Sequence, residues 1–177
     1  MKKWEILNKL KIPASPAGGE NGKFKSEEII KILLQNRGIK TKKEIKDFLN
    51  PKLSDINSES VKIERRELKK ALQRIEKAIK SKEKIIIYGD YDVDGICAAA
   101  ILWETLNSEK ADVLPYIPSR FDEGYGLSKE GIDNLLKSGK VDLIITVDNG
   151  IVANEAVDYA NKKGIDVIIT DHHVVSS

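Results

Sequence analysis

Residues 85–95 read Ile85-Ile86-Ile87-Tyr88-Gly89-Asp90-Tyr91-Asp92-Val93-Asp94-Gly95, an apolar run cut off by aspartates at alternate positions. A short unbroken apolar run bounded in this way is the pattern of a strand buried on both faces, the habit of parallel sheets. Several carboxylates delivered to one spot concentrate negative charge, which is tolerable where divalent cations or dense hydrogen bonding offset it. The pattern recurs twice. Leu143-Ile144-Ile145-Thr146-Val147 ends at Asp148, and Val167-Ile168-Ile169-Thr170 ends at Asp171-His172-His173. Each run ends in ligands suited to a metal ion.

Working outward, the chain alternates between strands and helices. Strand 84–89 leads to an Ala-rich helix from about residue 95. Strand 112–117 and the loop 118–126 follow, then a helix capped by Ser128, strand 142–147, a helix over 151–162 stopped by Gly164, and strand 165–170. Alternation of this kind implies right-handed crossovers and an α/β fold, a parallel Rossmann-like sheet with helices on both faces. Functional groups in such sheets collect beyond the carboxyl ends of the strands, where all three clusters fall. Upstream, Leu68, Ala71, Leu72, Ile75, Ala78 and Ile79 follow helical spacing and predict an amphipathic helix over 64–80 with a basic outer face. Residues 1–63 read as a small, basic, helical leader. A helix opens at Ser26, presents a broad apolar face of Ile29, Ile30, Ile32, Leu33 and Leu34, and closes at Arg37-Gly38. A second begins at the capping box Thr41-Lys42-Lys43-Glu44 and is ended by Asn50-Pro51, while residues 13–23 form a Pro-, Gly- and Ser-rich loop. Two domains are therefore expected, 1–63 and 64–177.

The bulk composition, 41% hydrophobic and 33% charged over 177 residues, is that of a water-soluble globular chain. No apolar stretch approaches the length of a membrane span, and no continuous apolar segment follows Met1-Lys2-Lys3 as a secretory signal requires. The lone Cys97 excludes an internal disulfide, and a cytoplasmic location is expected. The net charge of +2 hides a division: residues 1–84 carry 23 Lys and Arg against 12 Asp and Glu, residues 85–177 carry 7 against 16. The basic half suits a polyanion or is a solvated lysine-rich surface; the acidic half holds the metal-ligand candidates.

Other chemistries fit less well. An EF-hand loop beginning at Asp90 needs a bidentate Glu at its twelfth position, which is Ile101 here, and it lies between helices instead of after a buried strand. An Asp-nucleophile phosphatase also places Asp-x-Asp after a strand, but it has no use for His172-His173. Phosphate-cradling glycine loops and a strand-turn serine nucleophile are missing. Asp148-Asn149-Gly150 by itself reads equally as a turn. The only two histidines of the chain are adjacent, at a strand end in the acidic half, and this is not the pattern of structural histidines. Mixed carboxylate and imidazole donors suit Mn²⁺, with Mg²⁺ as the alternative. Their number exceeds the need of one ion, so two ions and phosphoester hydrolysis form the expected chemistry.

Tyr88-Gly89-Asp90-Tyr91-Asp92-Val93-Asp94-Gly95, Val147-Asp148-Asn149-Gly150 and Asp171-His172-His173 together resemble the first three motifs of the DHH phosphoesterase superfamily. The loop Tyr116-Ile117-Pro118-Ser119-Arg120 with Glu123-Gly124-Tyr125-Gly126-Leu127, and the leader residues Arg37-Gly38-Ile39 and Phe48-Leu49-Asn50-Pro51, are similar to its RecJ branch of exonucleases. The resemblance implies 5′→3′ hydrolysis of single-stranded DNA in repair and recombination. It implies Asp92, Asp94, Asp148 and His172 as metal ligands, Asp148 bridging two ions, and Asp90 as a ligand or supporting carboxylate. Asp171 would orient a histidine, His173 would meet the scissile phosphate or move a proton, and Arg120 would grip a substrate phosphate or else pair with Asp122 or Glu123. Members of that branch continue with a fourth aspartate motif, a DHH-associated domain and an oligonucleotide-binding barrel, whereas this chain ends four residues after His173. An amino-terminal portion, completed by further polypeptide or a second chain, is therefore expected. Alternative substrates are short oligoribonucleotides or cyclic dinucleotides, and a non-catalytic scaffold is the remaining reading.

Overall fold

The computed structural model describes residues 26–61 and 63–174, so the loop expected at 13–23 lies outside the described residues. The chain divides into two compact units, Met1–Ile63 and Glu64–Ser177.

In the first unit, helix α1 (Ser26–Asn36) ends where Gly38 turns to φ +80°, and the amide of Ile39 donates back to the carbonyl of Leu34 at 3.0 Å. The left-handed conformation costs glycine nothing, which is why the helix stops there. Helix α2 (Lys42–Leu49) starts with the full capping box: the Glu44 amide donates to Thr41 Oγ1 at 3.2 Å, and the Thr41 amide to Glu44 Oε2 at 2.8 Å. A 3-10 turn, Leu53–Asp55, follows.

The second unit runs α3 (Arg65–Lys80), β1 (Lys84–Tyr88), α4 (Val93–Ser108), β2 (Asp112–Tyr116), α5 (Lys129–Ser138), β3 (Leu143–Val147), α6 (Asn154–Lys162) and β4 (Asp166–Thr170). All strand pairs are parallel, in the order β2-β1-β3-β4. One face of the sheet buries Ile86, Tyr88 and Ile144 against Ile132, Leu135, Ala156 and Ala160 of α5 and α6. The other buries Ile85, Ile87, Leu143 and Ile145 against Ala78, Ala99 and Leu106 of α3 and α4. The expected doubly covered sheet is present, but burial on both sides is confined to β1 and β3. On the edges, β2 leaves Leu114 half exposed and accommodates Pro115, whose missing N–H an edge strand tolerates. β4, despite its apolar run Val167-Ile168-Ile169, is only partly covered.

Register sets the site. Tyr88 pairs with Tyr116 and Thr146, and Val147 with Thr170, so the strands end level. The first connection crosses from β1 to β2, and the later ones continue on the other side of β1. The order therefore switches direction between β1 and β3, and ligand sites of open α/β sheets form outside the carboxyl ends at such a point.

At the opposite end of the sheet Asp142 acts as a clasp. Its Oδ2 accepts from the Lys84 amide at 2.9 Å, and its Oδ1 lies 2.6 Å from Lys140 Nζ. Arg74 of α3 joins there, with Nη2 2.7 Å from Glu83 and Nε 2.6 Å from Asp166 Oδ2.

Candidate metal centre

Three turns carry the candidate ligands. After β1 the chain bends sharply so that α4 begins at Val93, two residues before the expected start, because Asp92 serves as its N-cap and accepts from the Gly95 amide at 3.0 Å. Gly95 allows this approach: a Cβ there would lie 2.6 Å from Asp90 N, O and Cβ. Asp90 is 1% exposed, and its Oδ1 accepts from the Tyr91 amide at 2.6 Å.

After β3, Asp148 sits at φ +62°, a left-handed conformation that a non-glycine residue adopts only when its surroundings fix it. Its amide donates to Thr170 O at 3.0 Å, locking it to the end of β4. Asn149, 1% exposed, sends its Nδ2 to both Tyr88 O at 3.1 Å and Val147 O at 2.9 Å, tying the ends of β1 and β3 together. No sequence pattern beyond the turn-forming Asp-Asn-Gly pointed to this role. Helix α6 starts at Asn154, three residues later than expected, and the Ile151 amide donates instead to Asp171 Oδ2 at 3.0 Å.

After β4, Asp171 Oδ1 accepts from the His173 amide at 3.1 Å and lies 2.7 Å from His173 Nδ1. The histidine that Asp171 orients is thus His173. His172 Nε2 lies 2.9 Å from Asp148 Oδ1. That approach lacks the direction of a hydrogen bond, and Asp148 Oδ1 is buried with no hydrogen-bond partner among the described residues.

Two sets of donors converge to within 4.8 Å: Asp90, Asp92 and Asp148 form one, and Asp148, His172 and His173 the other. Asp148 belongs to both. Asp94 stands outside both sets, exposed on the first turn of α4, although it lines the same open hollow as Asp148, Asp171 and His172. A larger cavity of about 510 Å³ at the far end of β1 and β2 is lined by Asp112 and Asp142, but those acids are already paired with Lys84 and Lys140. It offers no free ligand set.

Electrostatics separate the acids. Burial and the neighbouring Asp92 carboxylate push the Asp148 carboxyl above its ordinary range, with His172 opposing. For Asp171 burial acts in the same direction but is outweighed by the Ile151 and His173 amides and the His173 ring, so its carboxyl is held low. His173 is raised, chiefly by its hydrogen bond to Asp171. A buried carboxylate whose Oδ1 makes no hydrogen bond, next to further acids and opposed only by the exposed His172 imidazole, fits a divalent cation, which would supply the charge that this imidazole offsets only in part.

The rim of the site is aromatic and basic. Arg120 lies 5.1 Å over the Tyr91 ring. It does not pair with Asp122 or Glu123, which are engaged by the hydroxyls of Ser119 and Tyr116. Tyr91 meets Tyr125 edge-on at 6.4 Å. Burial and then Asp90 push the Tyr125 phenol up to about 12, with Asp148 and Asp171 adding to the effect. Tyr125 was visible in the sequence only as part of a loop.

Fold and donors define a class: a parallel α/β domain with a divalent-cation site at its topological switch point. The DHH family, N-terminal domain, matches residues 84–177, and the chain belongs to that family. It is 41% identical over 145 residues to the single-stranded-DNA-specific exonuclease RecJ of Bacillus subtilis, a match taking in 82% of this chain and 18% of that protein. A crystal structure of exonuclease RecJ bound to manganese superposes with a TM-score of 0.56 at 38% identity, covering 62% of this chain and 28% of that one. RecJ from Thermus thermophilus in complex with Mn²⁺ gives 0.55 at 30%, covering 81% and 18%. The chain thus spans about a fifth of the length of such relatives. Among the described residues no helix is long and apolar enough to cross a membrane.

Proposed function

We propose that the chain is the metal-holding part of a divalent-metal-dependent phosphodiesterase, a 5′→3′ exonuclease acting on single-stranded DNA in the cytoplasm during repair and recombination. The observation that carries this proposal is Asp148, buried, left-handed and shared by both donor sets, with an oxygen that makes no hydrogen bond among the described residues. Asp90, Asp92 and Asp148 would hold one ion and Asp148 and His172 a second, with His173 beside it, and Mn²⁺ is favoured by the mixed oxygen and nitrogen donors. Similarity to manganese-bound RecJ structures supports the choice of ion.

Bound ions supply Lewis-acid stabilisation of charge on phosphoryl oxygens and activation of water. The protein's own residues do the rest. Asp171 fixes the ring of His173 through Nδ1, leaving Nε2 to face a phosphate or carry a proton. Asn149 and the Asp148–Thr170 bond keep the three strand ends in register. Arg120, held on Tyr91 and not consumed by an acid, offers its fork to a substrate phosphate. Asp94, the remaining ligand candidate, would approach an ion from the first turn of α4. Because the relatives are far longer, other polypeptide, from the same or a second chain, is expected to complete the strand-binding surface.

Calorimetric titration of the chain with Mn²⁺ is the direct test, run beside an Asp92→Asn plus Asp148→Asn variant. Binding in the first and none in the second is expected, while cleavage of 5′-phosphorylated oligothymidylate by this chain alone should be weak or absent. Equal uptake by both proteins would sink the proposal.

A further inference from the structure

The basic face of α3 has no role in the site described above. The helix carries seven Lys and Arg against two Glu. Arg66, Lys69, Gln73, Lys77 and Lys80 recur at helical spacing on one side, opposite Leu68, Ile75, Ala78 and Ile79, and the four basic residues among them are exposed. At 1.5 Å per residue the stripe runs for roughly 20 Å. Arg74, on the flank, is engaged by Glu83 and Asp166. Lys70 pairs with Glu67 at 2.7 Å and Lys80 with Glu76 at 3.8 Å, both on the open surface, where such pairs hold weakly. Arg66, Lys69 and Lys77 have no ion-pair partner among the described residues.

The stripe also points somewhere. Arg74 reaches Asp166, the first residue of β4, while Glu67 and Lys70, one to two turns earlier, border the same groove as Ile168 and Ile169. Helix α3 therefore runs antiparallel to β4, its amino end toward the strand end that leads into Asp171 and His172. A file of uncompensated cations approaching an acidic, metal-binding centre is complementary to a strand of phosphates whose terminus enters that centre.

We propose that this face of α3 is a backbone track for single-stranded nucleic acid, a proposal that rests on the nuclease reading above. Contact is with phosphates and carries no base specificity.

The test is fluorescence anisotropy of labelled oligothymidylate with the 177-residue chain in EDTA, at 50 and 200 mM salt, comparing wild type with R66Q/K69Q/K77Q. Glutamine is nearly as good a helix former as the residues it replaces, so the fold is kept, and circular dichroism verifies it. Each lost phosphate contact lowers the salt slope for a single strand by about 0.7, so three lower it by about 2. Over that fourfold change in salt, wild type should then lose roughly 20-fold more affinity than the variant. The control triple K42Q/K43Q/K46Q in α2 removes the same charge and should leave the slope as in wild type. Equal slopes in wild type and the α3 variant, or an equal loss in the control, overturn the proposal. So does stronger binding to phosphatidylserine vesicles than to oligonucleotide that is lost in the α3 variant. The Asp92→Asn plus Asp148→Asn variant separates the two readings, since it should lose Mn²⁺ yet bind oligonucleotide in EDTA at least as tightly as wild type.

Discussion

Replacing Asp148 by Asn should make the metal-free protein more stable and the metal-loaded protein less so. Asn tolerates the left-handed conformation as Asp does, and the main-chain bond to Thr170 O is untouched, so what changes is charge. In the metal-free state Asp148 is buried and within 4.8 Å of Asp90 and Asp92. Two like charges at that separation repel by about 3 kcal/mol at an effective dielectric of 20 and by about 1 kcal/mol in water. Asp92 is exposed, so the lower figure applies, and His172 offsets part of the Asp90 contribution. The sign agrees with the pKa: a carboxyl raised by folding destabilises the fold above that pKa, and neutralising it removes the penalty at neutral pH. A gain of about 1 kcal/mol corresponds to a rise in melting temperature of roughly 4 °C for a unit of this size. With Mn²⁺ at 100 times its dissociation constant, wild type should gain about 2.7 kcal/mol and the variant nearly nothing. Differential scanning calorimetry at pH 7.5, with EDTA or with Mn²⁺, reads both effects. A variant that melts lower than wild type in EDTA, or that keeps the Mn²⁺-dependent rise, refutes the assignment of Asp148 as the unsatisfied centre of the site.

Gly95→Ala should destabilise by about 2 kcal/mol or more, because the new Cβ would press on the Asp90 backbone at 2.6 Å; helix propensity alone would favour Ala by about 1 kcal/mol, so urea denaturation distinguishes the two by sign. Asn149→Ala leaves the carbonyls of Tyr88 and Val147 buried without their donor, and both a loss of about 2 kcal/mol and 10- to 100-fold weaker Mn²⁺ binding by titration are expected. Asp142, held below the ordinary carboxylate range chiefly by Lys140 and, against burial, also by the Lys84 amide, contributes stability that is present above the unfolded pKa and lost as pH falls through its lower folded value. Asp142→Asn should therefore cost about 1–2 kcal/mol at pH 7 and flatten the decline in the urea midpoint between about pH 5 and 3.

The sheet and the convergence of three clusters were legible because buried parallel strands leave a plain signature. Runs such as 85–88 and 143–147 have no polar face, and each is punctuated by acids. What escaped was local geometry decided by hydrogen bonds between distant residues. Helix α4 begins before its expected start because Asp92 can cap it, and Asp94 is thereby carried onto the exposed first turn, outside both donor sets. The delayed start of α6 has a similar origin: the Ile151 amide is taken by Asp171, twenty positions away, which no local pattern encodes. Asp148-Asn149-Gly150 read equally well as a turn, and it is one; a φ of +62° at Asp148 and the two carbonyls gripped by Asn149 give the turn its chemistry. The apolar run 167–169 resembles that of β3, yet its edge position leaves it half covered, since composition does not specify order within a sheet.

The carboxylates of the site divide their work in a way that links fold to chemistry. Asp90 gives one oxygen to the Tyr91 amide, Asp92 one to the Gly95 amide, and Asp171 both to Ile151 and His173. Each of these acids is anchored by backbone donors whether or not an ion is present. Asp148 alone of the four has no backbone donor to its carboxylate, and it is also the one of them held in a strained conformation. The site is therefore preorganised at its margins and unsatisfied at its middle. A cation entering it would have little backbone to rearrange and one large electrostatic imbalance to cancel, at the single residue that both donor sets share. That distribution is why the ion's contribution should be concentrated at Asp148 instead of spread over the ligands.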